Sequence, residues 1–163
     1  MIALPMRTAV AVWQDTEAIV RKLLLMLFGA GPQARPAAST DYRPGACNIG
    51  PAEIARRRRT GHVGVLLAVA LFVALVALNA PPLARFLVAL PAAVAATGYL
   101  QAWLRFCVAF AALGVFNFGP LGREQCIDDP LARARDRARA VRLTAAAALI
   151  GTAAGAVAVL LPL

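Results

Sequence analysis

Apolar and polar positions alternate along this chain in long blocks. Counting His62 as neutral, charged residues are absent from 60–84 (25 residues), 86–104 (19 residues), 106–122 (17 residues) and 143–163 (21 residues). About 20 apolar residues in a helix cross a bilayer, so three of these runs are long enough and the run 106–122 is marginal. Ahead of them, between residues 9 and 28, Val12, Trp13, Ile19, Val20, Leu23, Met26 and Leu27 recur at helical spacing. Gln14, Asp15, Arg21 and Lys22 fall elsewhere on the wheel, the pattern of an amphipathic helix that lies on a surface and does not span.

Turn and cap residues divide the chain into a surface helix over 1–31, a linker over 32–47 with Pro32, Pro36 and Pro44, and a helical membrane domain over 48–163. Pro51 fits the first position of a helix capped by Gly50, with Glu53 favourable to the dipole. Spans are expected at about 63–80, 83–104 and 143–161, the second kinked at Pro91. Asp129-Pro130 reads as a cap and first turn, starting a helix that continues into the last span. The fold class expected is an all-α integral membrane protein with three transmembrane helices, the amphipathic helix and a short re-entrant or interfacial helix over 106–119.

Composition agrees: of 163 residues, 61% are hydrophobic and 15% charged, against about 25% charged in soluble domains. The charge itself is one-sided, with 17 Lys and Arg against 8 Asp and Glu, a net +9. Nucleic acid is not the expected partner, because these arginines crowd the ends of apolar runs and do not share a folded face with stacking aromatics. A secretory signal is not expected either, since the first charge, Arg7, follows an apolar opening. If 106–122 stays on one side, 16 basic residues face the cytoplasm and Arg85 alone faces out; if it crosses, the split is 10 to 7. The positive-inside rule favours the first arrangement, giving a cytoplasmic amino terminus. Arg56, Arg57, Arg58 and Arg59, spread at about 100° per residue, form a collar that anchors the first span among lipid headgroups.

Two strings carry a further signal. Asn48, Gly50, Glu53, Arg57 and Gly61 stand at Asn-x-Gly-x-x-acid-x-x-x-Arg-x-x-x-Gly spacing, and Phe106-Cys107-Val108-Ala109-Phe110 runs on to Leu113-Gly114. Over about residues 47–114 the chain resembles the YgaP-like transmembrane domain, a bacterial inner-membrane two-helix domain of unknown function found alone or fused to rhodanese. In the closing motif Cys107, Phe110 and Gly114 match, and Val108 stands at the family's Pro. The resemblance implies a two-span hairpin whose polar ends lie at the cytoplasmic surface.

Catalytic constellations fail on inventory. Neither Cys107 nor Cys126 opens a rhodanese-type loop, and Cys47, Cys107 and Cys126 with His62 lack the paired spacing of a zinc site; the thiols read as reduced small core residues. The single His62 has only Glu53 near it in sequence for a nucleophilic triad. Ionisable residues are absent from the deep spans, unlike a proton-coupled pump, and Asn79, Thr97, Gln101 and Asn117 are suited to bonds between helices. Gly151 and Gly155 form a GxxxG, which packs a helix either on a second copy or within the chain. The expectation is a small non-enzymatic membrane protein without cofactor or metal, which anchors or assembles with lipids, a second copy, or a cytoplasmic or membrane protein. The alternative is an oligomeric transporter or channel subunit for a small solute, sulfur-containing solutes included.

Overall fold

The computed structural model describes residues 42–162. By its internal contacts the chain divides into units Met1–Gln33 and Ala34–Leu163, and everything below concerns the second. The amphipathic helix over 1–31 and the linker up to residue 41 lie outside the described residues.

Helix α1 is Pro51–Ala77, opened by an extended Gly50 with Pro in the first turn. A 3₁₀ helix, Pro82–Val88, leads into α2, Ala89–Trp103. Helix α3 is the short Val108–Leu113, ended by Gly114 in the left-handed region. Strands β1, Val115–Phe116, and β2, Gln125–Cys126, pair antiparallel with Val115 opposite Cys126. Helix α4 is Pro130–Leu160, where the Asp129 side chain accepts from the Leu131 N–H. Three segments, Pro51–Ala77, Pro82–Trp103 and Pro130–Leu160, are long and apolar enough to cross a membrane.

The structure differs from the sequence reading in several places. The segment expected as one interfacial helix over 106–119 folds as a six-residue helix followed by a strand, because Gly114 takes a φ of 71° that breaks the helix. Pro91 lies at the third residue of α2, directly after the 3₁₀ stretch Pro82–Val88, so the irregularity in this segment falls just before the proline. Residues 42–47, placed in the linker from sequence, are folded, with Arg43 and Cys47 bridging in a tight turn.

Helix α2 is the shared neighbour, packing on α1 along one side and on α4 along the other. Small residues set both seams. A Cβ on Gly64 would come within 2.5 Å of the Ala95 backbone nitrogen, and one on Gly98 would collide with the Gly61 nitrogen and the Arg57 carbonyl. On the other seam, a Cβ on Gly151 would lie 2.6 Å from the Ala89 carbonyl oxygen, and one on Gly155 would lie 3.0 Å from that of Phe86. Both glycines of the GxxxG therefore face α2 of the same chain. Backbone approach this close supplies van der Waals attraction along both seams.

The largest fully buried side chains are Phe106, Ile49, Glu53, Asn48, Asn117, Asp136 and Cys107. All belong to a cap at one end of the helices, where α1 and α4 begin and α2 ends. The cap holds three small apolar clusters centred on Phe106 with Leu143, Phe116 with Ile127, and Ile49 with Phe110. At the opposite end Arg85 is 4% exposed, and its guanidinium donates to the Leu161 carbonyl at 2.9 Å, tying the 3₁₀ helix to the end of α4.

Replacing Gly151 and Gly155 together by Ile forces α4 away from α2. Overpacking of this kind costs about 1–3 kcal/mol, so the variant is expected to melt at a lower temperature in mild detergent with its oligomeric state unchanged. A shift of oligomeric state with unchanged melting, read by light scattering and thermal scans, would contradict the internal seam.

Candidate functional site

Of the motif residues scattered over residues 48–114, Gly61 packs on Gly98 and Tyr99 along the α1–α2 seam, and the others meet in the cap. Asn48 sits just before α1 and donates its Nδ2 to the Cys107 carbonyl at 3.0 Å, while its Oδ1 accepts from the Cys107 N–H at 2.6 Å. One side-chain amide thus reads both backbone groups of a residue 59 positions away. Its own backbone is paired too, with the Asn48 N–H donating to the Arg105 carbonyl and the Asn48 carbonyl accepting from the Asn117 N–H, at 3.1 Å and 3.0 Å. Gly50 completes this ladder by donating to the Asn117 carbonyl at 2.7 Å, and a Cβ there would lie 2.7 Å from the Phe118 Cα.

Helix α1 then turns Glu53 and Arg57 inward, one turn apart on a common face. Glu53 is 0% exposed, and its carboxylate lies 3.6 Å from Arg57 Nη2 and 3.9 Å from Arg56 Nη1. These are ion-pair and not hydrogen-bond distances, and among the described residues neither Glu53 oxygen accepts a hydrogen bond. Arg57 instead donates to Cys107 Sγ at 2.9 Å, with its guanidinium 5.9 Å from the centre of the Phe110 ring. Breaking a buried ion pair by removing one partner costs about 3–5 kcal/mol, so Glu53 and Arg57 hold each other in place.

Cys107 caps α3, its sulfur accepting from the Phe110 N–H at 3.4 Å. Burial pushes its thiol above the ordinary value, outweighing the Phe110 amide and the Arg57 guanidinium, which pull it down. Its surroundings therefore favour the neutral thiol over the thiolate. Val108, at the motif's Pro position, donates its N–H to Gln101 Oε1 at 3.1 Å, a bond that proline could not make.

The collar is not uniform. Arg57 turns into the protein, whereas Arg56 and Arg58 are exposed and Arg59 is intermediate. His62 Nδ1 is 2.7 Å from the Tyr99 hydroxyl, joining α1 to α2. Of the polar residues marked for bonds between helices, Thr97 bonds its own helix at the Ala93 carbonyl, Asn117 bonds the Pro120 carbonyl nearby, and Asn79 forms an exposed turn with φ 50°. Cys126 is exposed and Cys47 intermediate, so only Cys107 is a core thiol. Among the described residues no group of three or more His, Cys, Asp and Glu is placed to hold a metal.

Sequence reading passed over a second clasp. Asp136, 0% exposed on α4, accepts from the Tyr42 hydroxyl at 3.0 Å and the Gly45 N–H at 2.5 Å. Burial first, then this hydrogen bond, raise the Tyr42 phenol above its ordinary value. Arg139, three residues on, donates to the Gly45 carbonyl at 2.7 Å and stands over the Phe106 ring. The alternating arginines of α4 hid this polar face within what looked like a solvated stretch.

Beside the Glu53 cluster, at the same end, lies an open cleft of about 870 Å³ between the start of α1 and the end of α2, lined in part by Arg43, Arg58, Arg105, Trp103 and Cys47. Compared with known protein families, curated proteins and solved structures, the chain matches none.

Asn48→Ala removes two buried hydrogen bonds and is expected to cost about 1–3 kcal/mol. Maleimide should label exposed Cys126 first and Cys107 slowly in the parent chain, and the variant should speed Cys107 labelling specifically. Because the fold favours the neutral Cys107 thiol, that contribution to stability is complete below the ordinary thiol value and declines as pH rises through the raised one. Labelling of Cys107 followed by mass spectrometry should therefore climb only at pH above the ordinary thiol range.

Proposed function

We propose that the chain is a small non-enzymatic integral membrane protein of the bacterial cytoplasmic membrane, which anchors or assembles with lipids and protein partners at the cytoplasmic face. One observation carries this reading. The basic residues of the folded unit, from Arg43 and Arg56–Arg59 through Arg105 to Arg123 and the arginines of α4, gather at the capped end of three apolar helices, and Arg85 lies at the other. A membrane protein with such asymmetry holds its basic end in the cytoplasm.

The buried polar groups support a role in holding the cap together. Asn48 and Asp136 spend their hydrogen bonds on backbone and side chains of distant segments, and Arg57 spends its on Cys107. Such a cap presents a rigid basic surface just outside the lipid. The meeting of Asn48, Gly50, Glu53, Arg57 and Cys107 also supports grouping residues 47–114 with the YgaP-like two-helix domain, to which α4 is an addition.

Topology reporters test the orientation. Fusions at Arg123 should report the cytoplasm and fusions after Leu163 the periplasm, and export at Arg123 would overturn the reading. Solute flux in reconstituted liposomes should equal that of protein-free vesicles; flux above that level would overturn the anchoring role in favour of a transporter.

A further inference from the structure

We infer that the cleft between the start of α1 and the end of α2 is a binding site for one anionic phospholipid, its phosphate held by Arg43, Arg58 and Arg105 and its acyl chain laid along Tyr99 and Trp103. This rests on the membrane reading above and assigns it a specific ligand.

The first observation is a basic cleft with no acid among its described lining residues. The cleft volume, about 870 Å³, is within the range of roughly 300–1,000 Å³ found for small-molecule sites. Its three arginines are exposed, and no carboxylate lines it among the described residues. Glu53, the acid nearest in sequence to Arg58, is turned away into the Arg57 pair. Gly50 and Pro51 also line the cleft, so the positive end of a 27-residue helix adds to the arginines.

The second observation is how Arg105 is placed. Its backbone adopts φ 52°, which a non-glycine residue takes only when its surroundings impose it. The constraint is visible, since the Arg105 carbonyl accepts from both the Asn48 and Ile49 N–H groups, at 3.1 Å and 3.4 Å. The Asn48 ladder thus fixes the reversal after α2 that sets Arg105 across from Arg58.

The third observation separates a lipid from a free anion. A smaller groove of about 340 Å³, lined by Tyr99, Leu100, Ala102 and Trp103, shares Arg58 and Trp103 with the cleft. It runs from the cap towards the apolar part of the helices, because Tyr99 lies one turn inside Trp103 and packs on Gly61. Trp103 is 80% exposed, at the level where amphipathic rings sit between headgroups and hydrocarbon. A basic cleft continuous with an aromatic groove matches a phosphodiester joined to an acyl chain.

The test uses the purified full chain in mild detergent, titrated separately with phosphatidylglycerol, phosphatidylcholine and glycerol 3-phosphate, with bound ligand counted by native mass spectrometry. Phosphatidylglycerol should bind one per chain, at least tenfold more tightly than the other two. The double variant Arg58→Gln, Arg105→Gln should weaken it by about fivefold per arginine, about twenty-five-fold together. Arg123→Gln with Arg142→Gln, exposed residues outside the cleft, removes the same charge and should change binding less than twofold. Equal loss in both doubles would show a diffuse field and overturn the site, as would equal binding of phosphatidylcholine. Equal binding of glycerol 3-phosphate would make it a site for a free anion and overturn the lipid assignment. If the cleft double does not fold, Arg43→Gln is read in its place, where a fivefold loss supports the site and no loss overturns it. Alkaline carbonate extraction of the wild-type chain from membranes without detergent would defeat the membrane reading itself, and so is distinguishable from failure of the cleft alone.

Discussion

Close approach of two helix backbones, α1 and α2, is the constraint from which the rest of the fold follows. In the membrane setting proposed above, lipid is as apolar as the side chains of these helices, so contact at van der Waals distance supplies the attraction between them. That contact exists because Gly64 meets the backbone at Ala95 and Gly98 meets that of Gly61 and Arg57. With the axes so near, the first turns of α1 stand beside the end of α2. On the inward face, Arg57, paired with Glu53, can then reach Cys107 only four residues beyond Trp103.

The cap is organised on a different principle from the spans. There the chain is no longer helical throughout, and each exposed peptide group in a buried position requires a partner. Asn48 serves as a two-sided connector for Cys107, while the 48–50 segment runs parallel beside Asn117. Phe106, Ile49 and Phe116 fill the space between, giving this end the buried core of a small soluble domain. The long apolar portions of the helices, by comparison, leave Leu66, Leu90 and Leu149 about 70% exposed, as suits side chains that face lipid in the membrane setting proposed above.

The parts legible from sequence were those governed by local chemistry. Pro51 after Gly50 and Pro130 after Asp129 mark helix starts because proline and caps act within one turn. The run 106–122 has the apolar content of a span, but Gly114 at positive φ divides it, and no count of apolar residues registers a left-handed residue. Less legible were contacts across long separations. Of the four consecutive arginines, the motif spacing marks Arg57, but its turn inward to Cys107, 50 residues away, has no local signal. Asp136 lies among five arginines of α4, where an acid reads as surface charge, yet Tyr42 and Gly45 cover it from 94 and 91 residues away.

The central place of α2 has a consequence for the order in which the molecule can be assembled. Each outer helix rests on α2 and not on the other, so the α1–α2 pair has its whole interface as soon as Trp103 has been synthesised. The ladder from Asn48 to Cys107 and Asn117 can close next, well before α4 leaves the ribosome. Helix α4 then arrives at a surface already formed, and its seam at Gly151 and Gly155 depends on no later segment. The clasp of Tyr42 and Gly45 on Asp136 is different in kind, since it joins the earliest described residues to the last helix and closes a long loop. It can form only after everything between has been placed, which makes it the latch of the structure and not its foundation.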